Sequence, residues 1–122
     1  MRNPDKLRVG PAAVDLAVLV YQYTREFPPE ERFGLAFHMR KTAISIGSSI
    51  YEACGRLTNK GFVAALGVAN SEASEMRFQV RVALVLDFGN RAIGIRVGKK
   101  LAYMQRMLAN LIKEARNLPD LE

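Results

Sequence analysis

Apolar side chains recur along this chain at alternating intervals of three and four residues, in four stretches separated by polar, proline-containing or glycine-containing breaks. Such spacing places them on one face of an α-helix. The first stretch carries Ala13, Ala17, Val20 and Thr24 on one face, with Leu16 and Tyr23 beside them, and Val14, Val18 and Tyr21 on another. The second carries Ala36, Met39, Ala43, Ile46, Ile50, Ala53 and Leu57, with Phe33, Phe37, Ile44 and Tyr51 as a second apolar strip. The third is the cleanest heptad: Phe62, Leu66, Ala69, Ala73, Met76, Val80 and Ala83. The fourth runs through Ile93, Val97, Leu101, Met104, Leu108, Leu111, Ala115 and Leu118. Punctuation bounds each stretch: Pro11 in a first turn, Phe27-Pro28-Pro29 between the first two, Gly55 near an end, Thr58 or Asn59 as an N-cap, Asp87-Phe88-Gly89-Asn90 as a turn, and Pro119 as a stop. The pattern predicts helices over about 11–26, 29–57, 60–88 and 92–117. No stretch alternates with period two between hairpin turns, so no sheet is expected. Short connections make neighbouring helices antiparallel, which predicts an all-α, up-down-up-down four-helix bundle forming a single domain over 1–122. Small residues at Gly47, Ser48 and Ser49 indicate a close contact or a kink in the second helix. A first helix apolar around so much of its circumference needs cover on more than one side, a first indication of self-association.

Composition adds a partner class. The 122 residues include 18 Lys and Arg against 12 Asp and Glu, a formal charge of +6, with a pI near 9.8. That excess suits an anionic partner, nucleic acid above all, and equally suits a merely basic surface. Cys54 is the only cysteine, so no intramolecular disulfide can form. The N-terminus lacks the apolar segment of a signal peptide, and the apolar run at 16–21 is far too short to span a bilayer. A soluble, cytoplasmic protein without a membrane partner is expected.

The order of several motifs resembles one family, the bacterial four helix bundle proteins. These include the product of the intervening sequence in large-subunit ribosomal RNA genes, and the accessory proteins of diversity-generating retroelements (Avd) are relatives. The matching residues are Tyr21 to Phe27 with Pro28, the stretch Glu31-Arg32-Phe33-Gly34-Leu35, then Ser45, Ile46, Ile50, Glu52 and Arg56 of the family signature. Phe62, Leu66, Ala69, Glu72, Ala73 and Glu75 resemble the start of the family's third helix. The likeness spans about residues 7–116. Ser49 stands where the family usually has Asn, and Ala53 where it usually has Gly. The resemblance implies a homopentamer around a central channel. For the accessory branch it implies a basic nucleic-acid surface and a reverse-transcriptase partner.

Candidate chemistry concentrates on the fourth helix. Arg96, Lys99, Tyr103, Arg106, Asn110 and Lys113 repeat at three and four, with Arg91 and Lys100 nearby. Such a strip can neutralise successive phosphates while Tyr103 stacks on a base. A plain solvated helix face is the alternative, and fivefold repetition in an oligomer would turn weak contacts into avidity. Arg77 and Arg81, beside Glu72 and Glu75, suit salt bridges within or between subunits better than phosphate binding. Arg40 and Lys41 suit a basic rim or simple exposure. Glu52 and Arg56 can pair at i, i+4. His38 reads as a surface or interface residue and Cys54 as a buried small apolar one. No Gly-x-Gly-x-x-Gly, Walker-type or Gly-x-Ser-x-Gly motif occurs, and no His-x-x-x-His or Glu-x-x-His spacing. No enzyme, metal or cofactor is expected. The reading is a homo-oligomeric accessory protein that binds RNA or DNA. The competing reading is a protein-interaction scaffold without nucleic-acid binding.

Overall fold

The computed structural model describes residues 1–118. Their regular structure is helical throughout, with no strand among the described residues: α1 Val9–Arg25, α2 Leu35–Cys54, α3 Asn59–Val85 and α4 Arg91–Arg116. Short 3-10 turns at Pro4–Lys6 and Pro29–Glu31 precede α1 and α2. Helix α1 packs on α2 and α4, α2 also packs on α3, and α3 also packs on α4, so each helix buries its apolar stripe between two neighbours.

The helix starts follow from local hydrogen bonding. Helix α1 begins at Val9, two residues before Pro11, which lies within the first turn where a missing N–H costs nothing. Thr58 accepts from the Gly61 amide at 3.0 Å and Asn90 from the Ile93 amide at 3.1 Å, which caps α3 and α4. Helix α2 departs from expectation. Pro29–Glu31 closes its own 3-10 turn instead of opening the helix, and Gly34 interrupts the chain before Leu35. Gly34 is the N-cap of α2, and the Glu31 carboxylate accepts from the Leu35 amide at 3.0 Å, so a residue read as helical satisfies the first amide of the helix that follows. Helix α2 also stops at Cys54, with Gly55 as its C-cap. Leu57, expected on its buried face, lies beyond the helix and is exposed. Helix α3 ends at Val85, three residues short of expectation, at a turn where Asp87 and Gly89 take φ of 60° and 70°. Pro119, expected to end the fourth helix, lies outside the described residues; α4 closes at Arg116 with Asn117 as its cap.

Each helix buries most of the stripe that its periodicity marks, whereas Leu118, expected on that of α4, lies beyond the helix and is exposed. Ala36, Met39, Ala43, Ile46, Ile50 and Ala53 of α2 are all buried, as is the whole α3 heptad from Phe62 to Ala83. The second strips behave differently. Val14 and Val18 of α1, Phe37, Ile44 and Tyr51 of α2 and Phe33 in the turn ahead of it stay exposed. The four helices of one chain therefore leave part of the apolar pattern uncovered.

The tightest fit joins α1 to α4. Tyr23 is fully buried, stacks edge-on to Phe27 with ring centroids 4.9 Å apart, and meets α4 at Gly94. A Cβ built at Gly94 would lie 2.7 Å from the Tyr23 ring and hydroxyl and 2.9 Å from Leu84. The Tyr23 hydroxyl has no hydrogen-bond partner among the described residues, and burial pushes its pKa up, with Arg91 opposing the rise and Asp87 adding to it. Two substitutions should therefore move stability in opposite directions. Gly94→Ala gains about 1 kcal/mol of helix propensity but must displace a packed ring, so a net loss of about 1–2 kcal/mol is expected in urea unfolding. Tyr23→Phe removes an orphaned buried hydroxyl and should raise stability by about 1 kcal/mol. A lower urea midpoint for Tyr23→Phe would show that the hydroxyl is satisfied in solution.

Candidate nucleic-acid interface

Helix α4 turns its buried stripe of Val97, Leu101, Met104 and Leu108 inward. The opposite side carries Arg96, Lys99, Tyr103, Arg106, Asn110 and Lys113, all exposed, with Lys100 half-buried at the margin. Gln105 holds the rotation of α4 on α3. Its side-chain NH2 donates to Ser74 at 3.0 Å and to the Asn70 side chain at 3.3 Å, and its carbonyl oxygen accepts from Arg77 at 3.2 Å. Tyr103 is exposed, and the Arg106 guanidinium lies 5.9 Å from its ring centroid. The strip's only acidic residue in the same helix is Glu114. Among the described residues the salt-bridge geometry is met only by Arg56 and Glu52, so none of the strip cations is neutralised by a carboxylate. Arg91 departs from the group: it donates to the Leu84 carbonyl at 3.4 Å and ties the end of α3 to the start of α4.

The other residues singled out from the sequence lie away from this row. Ser45, Ile46 and Ile50 sit on α2, half-buried in the first case and buried in the others. Glu52 and Arg56 form the i, i+4 pair on the surface, where such a contact contributes little to stability. Ser49 donates to the Glu72 carboxylate at 2.6 Å, joining α2 to α3. Below it the Gln79 amide donates to Thr42 at 3.1 Å, and Thr42 donates to the His38 carbonyl. Glu72 and Arg77 are therefore engaged with Ser49 and Gln105 instead of with each other. No salt bridge involves Glu72, Glu75, Arg77 or Arg81 among the described residues. His38 is exposed and meets Phe37 edge-on. Cys54 is buried and free, and burial pushes its thiol up, so it is poorly suited to nucleophilic work. The described residues contain no cluster of three or more His, Cys, Asp or Glu side chains in metal-binding arrangement. None of the described helices is long and apolar enough to cross a membrane.

Two further surfaces were not legible in the chain order. An apolar groove of about 360 Å3 runs between α1 and α2, floored by Ala13, Ala17, Ala43 and Gly47 and rimmed by Val14, Val18, Ile44 and Tyr51. A cavity of about 390 Å3 beside it gathers Tyr21, Arg32, Phe37, Arg40 and Lys41. Arg40 and Lys41 carried a signal as adjacent cations. Tyr21 lies 19 positions before Arg40, on the preceding helix, so only tertiary packing brings it to them.

Comparison with known proteins follows the fold. Residues 5–110 match the profile of the 23S rRNA-intervening sequence proteins. A crystal structure of a protein of unknown function from the S23 ribosomal protein family of Bacteroides thetaiotaomicron VPI-5482 superposes with a TM-score of 0.77 at 19% identity, over 86% of this chain and 98% of that one. That identity speaks to the fold alone. No curated protein sequence matches.

The Ser49–Glu72 contact gives this region a direct test. Ser49→Ala leaves a half-buried carboxylate without its neutral donor and should cost about 1 kcal/mol in urea unfolding. An unchanged unfolding midpoint would mean that the two helices do not hold this contact in solution.

Proposed function

The chain belongs to the 23S rRNA-intervening sequence protein family, and from that premise we propose that it is a non-enzymatic, homo-oligomeric accessory protein that binds RNA or DNA. The observation that carries the reading is the solvent-facing row on α4. Arg96, Lys99, Arg106 and Lys113 project with Tyr103 from one rigid helix, with no carboxylate paired to them among the described residues. Cations held in register and left unneutralised release counterions from a phosphate backbone, and an exposed aromatic among them offers a stacking surface.

The proposed assembly is an up-down-up-down bundle repeated as a cytoplasmic homopentamer. Two features support self-association: the uncovered apolar faces of α1 and α2, and the exposed side chains of Val68, Phe78 and Val85 on α3. The α1 and α2 residues Val14, Val18, Ile44 and Tyr51 line one groove, and contiguous apolar surface of that kind marks a contact with protein. A ring built from unlike faces would multiply the α4 row, so that modest contacts add. A reverse transcriptase is the protein partner this reading names. The same apolar faces favour a second reading, a scaffold that assembles proteins and binds no nucleic acid.

Fluorescence anisotropy with labelled RNA and DNA, single-stranded and structured, across a salt series separates the two. Under the first reading the chain binds tightly at low salt, and log Kd rises linearly with log salt at about 0.7–0.9 per phosphate neutralised. The variant R96E/K99E/R106E should lose binding while keeping its helical content and its oligomeric state. Unchanged binding by that variant removes α4 from the interface, and no binding at low salt by the intact oligomer leaves the scaffold.

A further inference from the structure

The cavity of about 390 Å3 between α1, α2 and the turn ahead of α2 contains no residue of α4. Its wall combines three cations, Arg32, Arg40 and Lys41, with two exposed aromatics, Tyr21 and Phe37, and the hydroxyl of Ser45. Arg40 is positioned before any ligand arrives. Its Nε–H donates to Thr24 Oγ1 at 2.7 Å, and Thr24, almost fully buried, donates in turn to the Val20 carbonyl at 2.8 Å. A second Arg40 nitrogen reaches the Tyr21 carbonyl at 3.5 Å, and the guanidinium centre lies 4.8 Å from the Tyr21 ring centroid. Its Nη1 group has no partner among the described residues. Lys41 and Arg32 are exposed and meet no carboxylate at salt-bridge distance among the described residues. The neighbouring acid Glu31 is turned to the Leu35 amide. Phe37 keeps about half its surface in solvent, and its ring stands near-perpendicular to that of His38.

A bare inorganic anion would use the cations and leave the Phe37 ring idle. An apolar ligand would use the rings and leave three charges unmatched. A flat ring joined to a phosphate uses both, and the volume suits one such unit. We propose that this cavity binds one nucleoside phosphate. Arg40 and Lys41 hold its phosphate, and Phe37 stacks on its base. The unit is either a free nucleotide or an unpaired nucleotide of a strand. The site does not depend on the α4 row, and only its strand form rests on the nucleic-acid reading above.

The test uses the full chain and mant-labelled AMP in fluorescence anisotropy, with unlabelled AMP, a dT12 oligonucleotide and inorganic phosphate as competitors. Saturable binding is expected, displaced by AMP and not by phosphate at the same concentration. Phe37→Ala and Lys41→Glu, both at exposed positions, should each weaken it about tenfold. R96E/K99E/R106E should bind mant-AMP as the parent does, which separates this site from the α4 row. Stronger displacement by dT12 than by AMP identifies the strand as the source, and the reverse identifies the free nucleotide. Absence of saturable binding overturns the proposal. So does binding that Phe37→Ala leaves unchanged, since that describes an anion site without stacking. A third overturning result is an oligomer that binds no mant-AMP and dissociates on Lys41→Glu, because the cavity is then covered by a second copy of the chain.

Discussion

The bundle depends on a bulky ring being allowed to touch a helix backbone. Tyr23 fills the space between α1 and α4 only because Gly94 presents no side chain there. The turn before α4 is shaped around the same ring. Gly89, at φ 70°, would also place a Cβ 3.0 Å from Tyr23 and from Phe27, and Phe88 packs on Phe27 with centroids 5.6 Å apart. Close packing of this kind makes the contact discrete, since an interior at crystal-like density has no slack to absorb one more methyl group. Closing α1 onto α4 completes the ring of four helix contacts, and with it the direction in which the α4 row faces.

That closure divides the surface into regions of unlike character. Helix α4 shows solvent a cationic row, whereas α1, α2 and α3 show it Val14, Val18, Ile44, Val68, Phe78 and Val85. A helix in a four-membered ring can bury only the side turned to its two neighbours. An apolar pattern wider than that side must end in solvent or against another molecule. The cationic cavity lies apart from the α4 row, at the edge of the apolar groove, with which it shares Ile44. Its proposed occupant, a ring carrying a charge, has the same two-sided chemistry.

Much of this was readable from residue spacing, and the failures have local causes. The α3 heptad was legible because seven apolar residues keep one phase from Phe62 to Ala83, and all seven are buried. The start of α2 was misread because Pro29, Glu30 and Glu31 satisfy the rules for a first helical turn equally well in a separate 3-10 turn. The competing signal was Gly34, which lets the chain bend while Glu31 reaches forward to the Leu35 amide. Leu57 fitted the heptad of α2 in phase, but the helix had already ended at Gly55. The α4 row was visible as a repeat of charges. Arg91 was counted with it by proximity, yet the turn geometry directs it to the Leu84 carbonyl.

By itself the sequence determined four helices, their inward stripes, the side-chain cap of α3 at Thr58 and a basic outer face on the last helix. Those properties are periodic or local, so they are encoded within a few turns of one segment. Tertiary structure alone decided the rest. It chose which of two apolar strips on α1 and α2 would be covered, paired Ser49 with Glu72 and Gln105 with Asn70, and brought Tyr21 beside Arg40. Each of these joins residues at least 19 positions apart on different helices, and periodicity within one helix carries no information about the phase of another. That phase follows from side-chain volumes meeting across the interface, above all Tyr23 against Gly94.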